Sequence, residues 1–338
     1  MLILHDYATM TKDGIWISVA FFFVMAGCQS PHSKQEDPQN TSYNKIQISG
    51  EHRAQKFEAE GKTDSAIFLY DRMASSYIQE RKMDAAIRAL IKSASLEKDR
   101  KNSRLMRQKA LLADSLASLY FPNHDSLKAE ILHQLGNAEL IHGNYPIALE
   151  YFNQSKELKE NLFGIADTLL SSTYNSLGVT FFMLADFEKA LDYYQKALQL
   201  AKSMKTKSNK LIPRISENLG MIYDYLGDYS KAIFYFGESL RLKSQIFGLN
   251  SGETARAYLN IANFLITLSN YDEAKENLLK AEKIFINQYG TEYKDLADVY
   301  MNLGKIYNSG ADYDKAQIYF NKSSQIMRKI NPEYPGLR

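Results

Sequence analysis

Leu177–Ala197 reads LGVTFFMLADFEKALDYYQKA, and Leu219–Ser239, 42 residues later, reads LGMIYDYLGDYSKAIFYFGES. The two stretches share a grammar rather than a composition. A Leu-Gly pair opens each, a polar-aromatic pair (Asp186-Phe187, Asp228-Tyr229) divides it, and Ala-x3-aromatic-x2-small closes it. Working outward at the same interval, the opening pair recurs as Leu135-Gly136, Ile261-Ala262 and Leu303-Gly304. Twelve residues past each small residue stands an alanine: Ala148, Ala190, Ala232, Ala274 and Ala316. Four residues on is a large apolar side chain: Phe152, Tyr194, Phe236, Leu278 and Phe320. Three further is a small one: Ser155, Ala197, Ser239, Ala281 and Ser323. The remaining dividing pairs are Asn144-Tyr145, Asn270-Tyr271 and Asp312-Tyr313.

This spacing describes a helical hairpin. Residues four and three apart lie on one helix face, so each second half presents a small, a large and a small side chain together. A glycine in the first half admits the second helix closely, and the large ring fills the space beside it. Asn or Asp at the divide is suited to accept from the free N–H groups that open a helix. Between residues 50 and 330 the prolines are Pro122, Pro146 and Pro213. Each falls in a connection or at a helix start, where a missing N–H costs little. Phe163-Gly164, Phe247-Gly248 and Tyr289-Gly290 share one position of the period, where glycine can end a helix. The expected class is all-α: a right-handed α-solenoid of about seven stacked antiparallel hairpins, five in clear register.

These residues resemble the tetratricopeptide repeat, whose signature is Leu-Gly, an aromatic three residues on, then Ala-x3-Phe and a small residue. Phe181, Tyr223 and Tyr307 supply the aromatic, whereas Glu139 and Leu265 depart from it. The usual unit is 34 residues. A 42-residue unit with Phe-Gly between hairpins resembles the kinesin-light-chain type. The resemblance covers 129–330. Upstream the register fades, although helical patterns continue at 50–61, 63–80, 83–98 and 103–120. The segment 50–128 is therefore expected to hold degenerate hairpins of uncertain pairing, and 331–338 a C-terminal tail. Either the last hairpin caps the stack itself, or the chain is the front part of a longer protein, since bacterial chains of this resemblance often continue into a membrane span and a signalling or protease-like domain.

The N-terminus carries an address. Ile15–Met25 (IWISVAFFFVM) is an uninterrupted apolar run, too short to span a bilayer and of signal-peptide length. Met25-Ala26-Gly27-Cys28 follows, and Cys28 is the single cysteine of the chain. This resembles the lipobox of bacterial lipoproteins, which implies removal of residues 1–27 and lipidation of Cys28. Lys12 is the one positive charge of the leader, and Met10 is an alternative start. Residues 28–49 are polar and read as a flexible tether. Gln29 follows the cysteine where inner-membrane retention in enterobacterial lipoproteins uses Asp. By that resemblance the expected location is the bacterial cell envelope, on the outer membrane.

The chain of 338 residues is 45% apolar, which supports a core and excludes a disordered class. Lys and Arg number 41 against 39 Asp and Glu, a balance that offers nucleic acid no electrostatic footprint. One cysteine excludes an intrachain disulfide and a Cys-rich zinc site. Phosphate-loop, zinc-protease and nucleophile-elbow motifs are missing from the sequence. His133 and His142 lie nine apart on one helix without a carboxylate at ligand spacing. No enzyme, cofactor or metal is expected.

What remains is a groove. First helices line the concave side of such a stack. Gln134, Ser176, Asn218, Asn260 and Asn302 precede the five opening pairs, with Asn137 and Asn263 three residues on. An amide offers a donor and an acceptor together, as a peptide bond does. In peptide-binding relatives an Asn at this place bonds the ligand backbone. Arg214 and Arg256 lie one turn earlier and suit a ligand carboxylate, while Leu140, Phe182 and Ile266 add apolar contacts. The expected partner is a peptide or protein segment, with the membrane engaged through the lipid on Cys28. The alternative is a glycan- or solute-binding lipoprotein using its 23 tyrosines.

Overall fold

A computed structural model describes residues 50–58, 60–98, 100–163, 168–203 and 210–330. The leader, Cys28, the tether and the tail 331–338 lie outside the described residues. Regular structure among the described residues is entirely helical: α1 (50–58), α2 (Thr63–Gln79), α3 (Met83–Glu97), α4 (Ser103–Tyr120), α5 (Asp125–His142), α6 (Tyr145–Phe163), α7 (Thr168–Met183), α8 (Phe187–Ser203), α9 (Leu211–Tyr225), α10 (Tyr229–Phe247), α11 (Gly252–Thr267), α12 (Tyr271–Tyr289), α13 (Lys294–Ser309) and α14 (Tyr313–Ile330). From α5 onward they pair as five hairpins, each packed on the next, forming an α-solenoid.

The small–large pairs that set the period are in contact. A Cβ added to Gly136 would lie 2.6 Å from the Phe152 ring, one on Gly178 2.6 Å from Tyr194, one on Gly220 2.8 Å from Phe236, and one on Gly304 2.5 Å from Phe320. These separations are below van der Waals contact, so only glycine lets the two helices approach as they do. The fourth unit keeps the combined volume: Ala262 takes the glycine position and Leu278 the ring position, both fully buried. A second pairing runs beside the first. Ser155 Oγ donates to the Ala129 carbonyl at 2.7 Å and Ser323 Oγ to that of Ala297 at 2.8 Å. In the second unit the serine changes sides, with Ser171 Oγ donating to the Ala197 carbonyl at 2.8 Å.

Each hairpin turns through one left-handed residue. Gly143, Ala185, Gly227, Ser269 and Ala311 have φ between 58° and 92° and recur every 42 residues. The following N–H closes the turn by donating to the carbonyl five residues back, as from Asn144 to Glu139 and Asp186 to Phe181. Asp186, Asp228 and Asp312 cap the second helices, each Oδ1 accepting at 3.2 Å from the N–H three residues on. Asn144 and Asn270 do not. Their amides donate instead to Glu139 at 2.7 Å and Glu273 at 2.9 Å, a bond a carboxylate cap could not make.

Upstream of α5 the period changes instead of fading. The same left-handed turn occurs at Gly61, Arg81 and Lys101, now 20 residues apart. Lys62, Lys82 and Asn102 close these turns onto Phe57, Tyr77 and Glu97. The buried register follows. Ala54, Ala74 and Ala94 occupy the small position of the first helix, and Ala66, Ala86 and Met106 lie twelve residues on. Tyr70, Leu90 and Ala110 occupy the ring position. α2 and α3 each serve as second helix to the preceding element and first helix to the following one. This resolves the pairing that the 42-residue pattern leaves open before residue 125. α5 itself starts at Asp125, so its first turn precedes residue 129.

Candidate functional site

Successive first helices lie side by side, α3 on α5, α5 on α7, α7 on α9 and α11 on α13. Their polar residues bond across these contacts. Lys98 Nζ donates to Asn137 Oδ1 at 2.9 Å, and Ser176 Oγ donates to the same oxygen at 3.3 Å. Asn218 Nδ2 donates to Asn175 Oδ1 at 2.9 Å, and Asn302 Nδ2 to Asn263 Oδ1 at 2.5 Å. Asn260 Nδ2 donates to Glu217, whose other oxygen accepts from Lys243 at 2.5 Å. The amides thus form a ladder from one unit to the next, with partners 39 or 43 residues apart.

The ladder sorts the groove residues by access. Gln134, Asn137 and Ser176 are buried, as is Asn302. Asn218 and Asn260 are half-buried, and Asn263 and Arg214 are exposed. Gln134 Oε1 has no hydrogen-bond partner among the described residues. Arg256 is occupied: Nε donates to Asp295 at 2.8 Å, Nη1 to Glu253 at 2.6 Å and Nη2 to the Tyr293 hydroxyl at 2.5 Å. Burial pushes the Tyr293 hydroxyl up to about 12, against the pull of the neighbouring guanidinium. No described residue bonds Arg214. The structure therefore splits two arginines that look equivalent in sequence, one clamped between units and one open.

The buried end of the ladder is cationic. Lys159, reaching in from α6, donates to Thr173 Oγ1 at 2.7 Å, and that oxygen meets His133 Nδ1 at 3.2 Å. His133 packs on the Phe152 ring at 5.5 Å. Its pKa is driven well below 6.5, first by burial and then by Lys159 and Lys98, so the imidazole is neutral. His142 is exposed at the end of α5. Among the described residues no group of His, Cys, Asp or Glu is placed to hold a metal, and no helix is long and apolar enough to cross a membrane.

One feature of this face was not singled out by the sequence pattern. Beside the turns of the second and third units, Phe182, Phe187 and Tyr225 form a three-ring cluster with centroids 5.2 to 5.6 Å apart. Tyr225 is 68% exposed, with Met183 at 49% and Met221 at 41%. The available signal is a register comparison: the positions of Met183 and Tyr225 hold Thr267 and Ser309 in later units.

The comparisons agree with this architecture. The tetratricopeptide-repeat family model matches residues 127–203 and 253–329, and a second model of the same repeat matches 213–246. No curated protein matches the chain by sequence. Among solved structures, BtubC (BKLC) from P. vanneervenii is similar with TM-score 0.55 and 22% identity, covering 75% of this chain and 95% of that one. A Rap protein complexed with Competence and Sporulation Factor gives TM-score 0.61 at 14% identity, covering 84% and 75%. Aspartyl phosphate phosphatase F from Bacillus subtilis gives 0.57 at 17%, covering 86% and 74%. At these identities the likeness is one of fold. With the family models covering more than half of its length, and each of their hairpins present in the structure, the chain belongs to the tetratricopeptide-repeat proteins.

Proposed function

We propose that this protein is a membrane-tethered scaffold that binds an extended peptide, or a segment of a partner protein, along the face lined by its first helices. The observation that supports the reading is the amide ladder. Each side-chain amide has two donors and two acceptor lone pairs, and a single inter-unit bond leaves capacity for a ligand backbone. The ladder also fixes the orientation of each amide before binding, which lowers the ordering cost. The partly open amides are Asn218, Asn260 and Asn263, beside the exposed cation Arg214, which no described residue bonds. A similar structure is a complex of a Rap protein with Competence and Sporulation Factor, which is in keeping with ligand binding by a fold of this kind. The tether through a lipidated Cys28 and the envelope location rest on the lipobox resemblance alone.

The glycan-binding alternative is weakened by the tyrosines. Tyr223 stacks on Tyr235 and Tyr307 on Tyr319, while Tyr174 and Tyr300 pack tilted against Tyr193 and Tyr319. Those rings are spent on packing.

The test is a triple variant, Asn218→Ala, Asn260→Ala and Asn263→Ala. A ligand captured from the parent envelope by the wild-type chain is expected to bind it more weakly. Each lost amide contact contributes about 0.5–1.5 kcal/mol. Wild-type affinity in the triple variant overturns the groove reading, and unchanged membrane fractionation of Cys28→Ser overturns the tether.

A further inference from the structure

The proposed groove has a direction. α9 presents Arg214, Asn218, Met221 and Tyr225 at intervals of four, three and four residues, which places them on one face of the helix. The chemistry changes along that face from a cation, through an amide, to a thioether and an exposed ring. Arg214 has no hydrogen-bond or ion-pair partner among the described residues and is exposed. At the other end, Tyr225 joins Phe182 and Phe187 in the three-ring cluster; the exposed Met183 follows Phe182 in the chain, and the exposed Met221 lies one helical turn before Tyr225. The fold does not require this apolar surplus. Thr267 and Ser309 hold the Tyr225 position in the next two units, and Asn263 and Lys305 that of Met221. An exposed aromatic and thioether cluster next to polar equivalents is what a binding surface leaves uncovered.

We infer that the segment bound on this face carries a carboxylate that meets Arg214 and a bulky apolar side chain that docks on the Phe182–Phe187–Tyr225 cluster. This rests on the groove reading above and adds its polarity and spacing. Eleven helical residues separate the two ends, about 16 Å at 1.5 Å per residue. An extended chain covers that distance in about five residues at 3.3 Å each. The exposed guanidinium selects an acidic group, and the half-buried amide of Asn218 lies between the ends to engage the intervening backbone.

The experiment uses labelled Gly/Ser peptides carrying one Glu and one Phe, separated by two, five or eight positions, read by fluorescence anisotropy against the full chain in detergent. The five-residue spacing is expected to bind about ten-fold more tightly than the other two. Tyr225→Ser should remove that preference, and Arg214→Glu should transfer it to peptides with Lys in place of Glu. Met221→Asp, on the same exposed face, is the second variant should Tyr225→Ser disturb the ring cluster. Equal binding at all spacings, or wild-type affinity in both the Tyr225 and Met221 variants, overturns the inference. If the envelope ligand is lost by the triple Asn variant but kept by Tyr225→Ser, the amide groove stands and the apolar anchor falls. If that ligand is kept by both, both readings fall.

Discussion

Between residue 50 and Tyr120 the chain lays down one helix every 20 residues, whereas from Asp125 to Ile330 it lays down two every 42. The turns are the same in both regions, a left-handed residue closed by a bond to the carbonyl five back. The joints differ. In the later region each hairpin holds its own small–large pair, with glycine against a ring in four units out of five. In the earlier region every inner helix is shared, and the ring position shrinks from Tyr70 to Leu90 to Ala110. Charge makes up for the lost apolar filling. Lys109 Nζ donates to Asp71 at 3.0 Å, Ser93 at 2.8 Å and Glu97 at 2.9 Å, and so joins α2, α3 and α4. One turn geometry thus supports two modes of stacking, and what fills the joint decides between them.

The sharpest way to break this comparison is to remove the charge. Lys109→Met should cost about 3–5 kcal/mol, because it leaves the fully buried Glu97 without its closest cation. Since repeat stacks interact with nearest neighbours, hydrogen exchange should accelerate in α2–α4 and stay unchanged in α11–α14. Uniform acceleration would show that the two regions are a single cooperative unit.

A smaller effect tests the other joint. Gly220→Ala should cost about 1–3 kcal/mol by overpacking, since its Cβ would fall 2.8 Å from Phe236. Adding Phe236→Leu should recover part of the loss, because Ala262 and Leu278 already make that combination. A double-mutant cycle with no coupling would refute the small–large account.

The smallest effect, absent at pH 8, belongs to His133, at the junction of the two regions. Its folded pKa is depressed, so the unfolded chain binds the extra proton. Its contribution to stability is present above about pH 6.5 and is lost as pH falls below that value toward the folded pKa. Thermal melts from pH 8 to 5 should show a steeper loss for the wild type than for His133→Asn. Parallel curves would mean that the imidazole is not held neutral by Lys159 and Lys98.

The five later units were legible because steric exclusion fixes them. Only glycine fits opposite the rings of Phe152, Tyr194, Phe236 and Phe320, and alanine serves opposite Leu278, so the constraint is written at a constant interval. The earlier units were obscured by a change of interval and by Met106 and Ala110 exchanging bulk. The amides of the groove were visible in sequence, but their mutual bonds were not. Hydrogen-bond partners 39 or 43 residues apart leave no local signature. Arg214 and Arg256 illustrate the point: both precede an Asn by four residues, and only the placement of Asp295 and Tyr293 separates them. Tyr225 escaped notice because a tyrosine among 23 carries no mark of exposure.

The alternation of turns also fixes a parity. The fourteen antiparallel helices of the described residues are even in number, so residue 50 and residue 330 come to the same edge of the stack. Gaining or losing a 42-residue hairpin preserves that arrangement. Gaining or losing one shared 20-residue helix reverses it and sends residue 50 to the opposite edge. Relatives of this chain that differ by whole hairpins would keep both ends of the stack on one side, while those that differ by a single helix would place the two ends on opposite sides.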